Sequence, residues 1–139
     1  MRTRPPPVDA PPIVRVLVVE DDSEHAASLV ERLRDAGYEV DHAADGGEAV
    51  RKTASTEPEV VLIDLGLPII DGWEAIGRIR RLGRSPRPYI VAMSGYTDAR
   101  SRQRAFDAGC NEYVIKPLDV LGVLRAFVHR RRLALRGAR

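Results

Sequence analysis

Only one cysteine occurs in the chain, Cys110, so no internal disulfide can form and no cluster of metal-binding thiolates exists. A reducing, cytoplasmic setting fits that usage. Long apolar runs are also missing: none approaches the ~18 residues a membrane span needs, and the opening MRTRPPPVDAPP has no apolar stretch of the kind a secretory leader carries. No membrane partner is expected. Aromatic residues make up 5%, so the interior must be built from Val, Leu, Ile and Ala. Acids are absent beyond Asp119, whereas six of the 22 Lys and Arg residues follow it. The remaining 16 bases face 20 acids, so the formal charge of +2 and the pI near 9.0 belong to the C-terminal end. That arginine run lacks interleaved aromatics and any DNA-binding motif, which makes it a solvated helix end and disfavours a nucleic-acid partner.

What is present is a repeat of short apolar runs and amphipathic segments. Five prolines within the first twelve residues favour extended backbone, so residues 1–12 read as a Pro-rich tail. Residues 13–132 form one domain and 133–139 a basic C-terminal tail. The runs Ile13–Val19, Tyr38–His42, Glu59–Ile63, Pro88–Met93 and Glu112–Ile115 are rich in β-branched residues and read as strands. The third and fourth are almost continuously apolar, as expected for central strands covered by helices on both faces. Ala26, Leu29, Val30 and Leu33 recur at helical spacing, as do Trp73, Ile76 and Ile79. Gly37 and Gly109 sit where helices end; Asp22, Ser23 and Thr97 sit where they begin. The fold class is α/β, a parallel sheet built from five βα units.

In such a sheet functional groups collect beyond the carboxyl ends of the strands. Glu20, Asp21 and Asp22 follow the first strand, Asp64 the third, Ser94 the fourth, and Lys116 then Pro117 the fifth. Crowded carboxylates repel one another unless a cation sits among them, and an all-oxygen site formed by Glu20, Asp21 and Asp64 suits Mg²⁺. A carboxylate can also attack phosphorus, with the metal and a lysine neutralising the phosphoryl oxygens and a hydroxyl donating to one of them. Asp64, Lys116 and Ser94 have the chemistry for those three roles.

The segments VLVVEDD, VVLIDLGLPIIDGWE, VAMSGY and EYVIKPL together resemble the response-regulator receiver family of two-component and phosphorelay signalling, over about residues 14–131. The resemblance implies a flavodoxin-like (CheY-like) doubly wound (βα)5 fold of strand order 2-1-3-4-5. It implies phosphorylation at Asp64, with Mg²⁺ held by Glu20, Asp21, Asp64 and the backbone carbonyl of Gly66. Ser94 and Tyr113 take the switch positions, and the Lys116-Pro117 bond is expected to be cis. The implied phosphodonor is a histidine kinase or histidine phosphotransfer protein. A downstream protein would read the surface of the fourth helix, fifth strand and fifth helix, and a homodimer is left open. Gly66 offers no side chain to orient water and Tyr96 is bulky, which points to slow loss of the phosphoryl group. The chain reads as a stand-alone receiver or one cut from a hybrid kinase, a signalling domain rather than an enzyme.

Two other functions use similar residues. A phosphohydrolase of the haloacid dehalogenase type also has an Asp nucleophile, Mg²⁺ and Lys, but needs a second Asp where Gly66 stands. A phosphorylation-independent pseudo-receiver acting as a binding module is disfavoured because every chemical position is filled. His25, His42 and His129 lack metal-ligand spacing and are assigned surface or capping roles.

Overall fold

Successive side chains along each strand point to opposite faces of the sheet. The computed structural model describes residues 13–116 and 119–137. Within them β1 (Arg15–Val19), α1 (Ser23–Asp35), β2 (Glu39–Ala43), α2 (Gly46–Thr56), β3 (Val60–Asp64), α3 (Gly72–Arg81), β4 (Tyr89–Ser94), α4 (Ala99–Ala108), β5 (Glu112–Ile115) and α5 (Val120–Gly137) follow in order. All strand pairings are parallel, and the sheet order is β2-β1-β3-β4-β5, the order expected. Leu17, Val19, Val61 and Ile63 point to one face and pack with Ala49, Ile76 and Ala105 of α2, α3 and α4. Val16, Val18, Val60 and Leu62 point to the other and meet Leu33 of α1 and Leu124 of α5. Two covered faces explain the unbroken apolar runs, each fully buried Val, Leu or Ile contributing about 1.5–3 kcal/mol.

The helix starts are set by aspartates. Asp22 accepts from the backbone N–H groups of Glu24 and His25, Asp45 from Glu48, Asp71 from Glu74 and Asp98 from Ser101. Ser23 and Thr97, the expected caps, lie beside the residues that do the capping; a carboxylate both accepts these bonds and complements the helix dipole. The first four strands start one or two residues later than the apolar runs suggest, since Ile13 is 66% exposed, β2 pairs from Glu39 to Ala43 and the ladder closes on Asp64 and Ser94. Helix α5 continues to Gly137, past the residue-132 boundary drawn from sequence. The expected cis bond involves Pro117, which lies outside the described residues; within them the cis bond is Ser85-Pro86. Among the described residues no helix is long and apolar enough to cross a membrane.

Candidate functional site

Three carboxylates converge because β1 and β3 are hydrogen-bonded neighbours in register, Val19 opposite Ile63. The next residues, Glu20 and Asp64, therefore emerge side by side, and oxygens of Glu20, Asp21 and Asp64 lie within 4.8 Å of one another. Lys116, carried past the end of β5, brings Nζ to 2.7 Å from Asp64 Oδ2 and 3.7 Å from Glu20 Oε2. The Gly66 N–H donates to Asp64 Oδ1 at 2.8 Å, fixing the other carboxylate oxygen. Asp22 belongs to the helix start, as its side-chain contacts require.

The electrostatics follow from crowding. Burial pushes the Glu20 carboxyl above its usual range, and a hydrogen bond to Asp64 and the repulsion of that charge add to the shift. Asp64 is also desolvated, but the Lys116 ammonium and the Gly66 N–H outweigh that cost and hold it below its usual range. Burial likewise opposes the charge on Lys116, and the two carboxylates overcome it, so its pKa is raised. The result is a full negative charge on Asp64 beside an acid that burial and repulsion drive toward neutrality. An all-oxygen donor set with surplus negative charge of this kind fits a hard divalent cation such as Mg²⁺.

Ser94 is 1% exposed and closes β4 on the strand next to Asp64. Its Oγ accepts from the Tyr96 N–H at 2.9 Å, and the Tyr96 carbonyl accepts from the Tyr113 hydroxyl at 2.6 Å. Serine and tyrosine are thus linked through one residue of the β4–α4 loop, with Tyr113 partly buried against the core. The Tyr96 ring lies 6.1 Å from Trp73, whose indole N–H donates to the Ser101 carbonyl and whose face carries the Arg104 guanidinium at 4.4 Å.

Two supporting residues escaped the sequence reading. The ring of His42, assigned a surface or capping role, places Nε2 2.7 Å from the Glu20 carbonyl, so Nε2 carries the proton and steadies the backbone of an acid. Its signal was the neighbouring of strands one and two, not its spacing from other histidines. Gly72 packs directly under the acceptor: a Cβ there would lie 2.5 Å from Leu65 Cα and 2.7 Å from the Asp64 carbonyl. The only cue was its place in PIIDGWE.

Comparisons with known proteins identify the family and the fold. The family described as "Response regulator receiver domain" matches residues 16–127. The transcriptional regulatory protein KdpE of Mycobacterium tuberculosis is 36% identical over 118 residues, covering 83% of this chain and 51% of its own length. The chain spans about half the length of the curated relatives it matches. A CheY-like receiver from Methanospirillum hungatei superposes with a TM-score of 0.80 at 25% identity, covering 88% of this chain and 99% of that one. The receiver domain of Saccharomyces cerevisiae Ssk1, solved with the histidine phosphotransfer protein Ypd1, gives 0.75 at 26%, covering 85% and 88%. With a CheY-like sheet and a match over most of its length, the chain belongs to the response-regulator receiver domain family of two-component signalling.

Proposed function

We propose that the chain receives a phosphoryl group on Asp64 and relays its presence to a partner protein. The observation that carries this is the Lys116 ammonium 2.7 Å from one Asp64 oxygen, beside a carboxylate trio whose oxygens lie within 4.8 Å. Glu20, Asp21, Asp64 and the Gly66 carbonyl would hold Mg²⁺, which when bound supplies positive charge to the phosphoryl oxygens. An Asp64 carboxylate oxygen attacks phosphorus of a phosphohistidine; the new P–O bond forms as the P–N bond breaks, and the imidazole nitrogen keeps the electron pair. Lys116 offsets charge on the transferred group. Ser94 turns its hydroxyl toward a phosphoryl oxygen, giving up the Tyr96 N–H and freeing the loop whose carbonyl holds Tyr113.

The donor is a histidine kinase or histidine phosphotransfer protein in the cytoplasm, a pairing supported by the Ypd1 complex of Ssk1. The reader is a protein that meets the α4–β5–α5 surface. The domain runs from residue 13 to the end of α5. Intact mass after incubation with a small-molecule acyl phosphate should show one phosphoryl group on the wild type with Mg²⁺, and none with EDTA or on Asp64→Asn. Equal labelling of the two proteins would overturn the assignment.

A further inference from the structure

At the opposite end of the sheet, the segments that enter the strands enclose a cleft of about 780 Å³. Its walls are the α2–β3 connection, the α3–β4 connection, the α4–β5 turn, the start of β1 and the middle of α5. A volume of that size is typical of small-ligand sites. Five arginines line it, Arg15, Arg80, Arg84, Arg87 and Arg131, against two acids, Glu57 and Glu59. Both acids are spoken for: Arg84 pairs with Glu57 and Arg131 with Glu59. The other three guanidiniums have no carboxylate within ion-pairing distance among the described residues. Arg15 donates to the Thr56 carbonyl, and Arg80 is pinned by the Gly109 and Pro88 carbonyls and the Asn111 side chain. Arg87 has no side-chain partner among the described residues and is exposed.

We propose that this cleft binds a small phosphate-bearing ligand through Arg15, Arg80 and Arg87. Like charges converge there without internal compensation, and Arg80 registers it: burial, then the nearby Arg87 charge, push its pKa below the usual guanidinium range. Planar guanidiniums with unused N–H donors match phosphate oxygens in geometry as well as charge. One wall carries the Tyr89 and Phe127 rings, 5.0 Å apart and tilted by 35°, which would offer aromatic surface to a nucleobase beside the phosphates. Five-residue strands put the cleft roughly 17 Å from Asp64, so it is separate from the acceptor.

The test is a backbone amide NMR titration of the full chain in EDTA at matched ionic strength, with inorganic pyrophosphate in one arm and adenosine diphosphate in the other. Saturable shifts are expected at Glu59, Arg87, Tyr89 and Asn111, with Asp64 and Ser94 unmoved. Arg87→Glu, a surface change that should leave the melting temperature in place, should weaken binding about tenfold or more, the loss of one charge-assisted hydrogen bond. Tighter binding of the diphosphate nucleotide would assign a nucleotide, equal binding a bare polyanion. Absence of saturation, shifts reproduced by sodium chloride, shifts centred on Asp64, or unchanged affinity in Arg87→Glu would each overturn the site.

Discussion

Ile69 stands five residues beyond Asp64 with 97% of its surface exposed and φ at +66°, a backbone region that β-branched side chains avoid. The strain has no compensating burial, so Ile69→Asn, a residue that tolerates this conformation, should stabilise the protein by about 1 kcal/mol in a urea melt. A loss of stability would show that the isoleucine makes contacts worth more than its strain. Gly72 is the converse case, a position defined by what cannot fit. Gly72→Ala forces a methyl group into Leu65 and the Asp64 carbonyl and should cost about 2 kcal/mol. It should also slow labelling by a small phosphodonor, because the backbone it displaces is that of the acceptor. Neither demand is written in the residue's own chemistry. Asp64 and Lys116 could be read from sequence because their roles depend on side-chain type, whereas Gly72 and His42 act through neighbours that only the fold supplies.

Among the elements, β2 and α2 are tied by a single cation. Lys52 Nζ lies 3.2 Å from both Asp41 and Glu48 and 2.5 Å from the His42 carbonyl. Burial works against the charge on Asp41, but the His42 N–H and Lys52 prevail, holding its pKa below the ordinary 3.8. The Ala44 N–H and then Lys52, against some burial, hold Glu48 below 4.5. Depressed carboxylates stabilise the fold at pH above their ordinary values, and that contribution drains away as pH falls past them. Lys52→Met should therefore lower stability at neutral pH by less than about 1 kcal/mol, since the groups are 30% to 45% exposed. Below pH 4.5 it should flatten the decline of the urea midpoint with acid; an unchanged slope would mean the backbone N–H groups alone set these pKa values. The existence and order of the elements were legible because periodicity and strand-end chemistry agree. Their ends were less so: Ser23 and Asp22, or Thr97 and Asp98, are adjacent and both competent caps, and only backbone geometry chooses between them.

Across the whole molecule the sheet separates two charge environments, carboxylates and one lysine at the carboxyl edge and arginines at the other. The first was legible as a set because every member follows an apolar strand. The second was not, because its arginines come from β1, α3, the α3–β4 connection and α5, and nothing in the sequence shows that these meet. At the carboxyl edge Trp73, the only tryptophan in the chain, sits against Tyr96 of the loop that links Ser94 to Tyr113. An indole whose neighbours are a tyrosine ring and a guanidinium has an emission set by their positions. Adding Mg²⁺ and phosphodonor to the unlabelled protein should change its fluorescence on the timescale of Asp64 labelling, and Asp64→Asn should abolish the phosphodonor-dependent part. The fold thus carries its own optical probe, placed where movement of the loop would be converted into light.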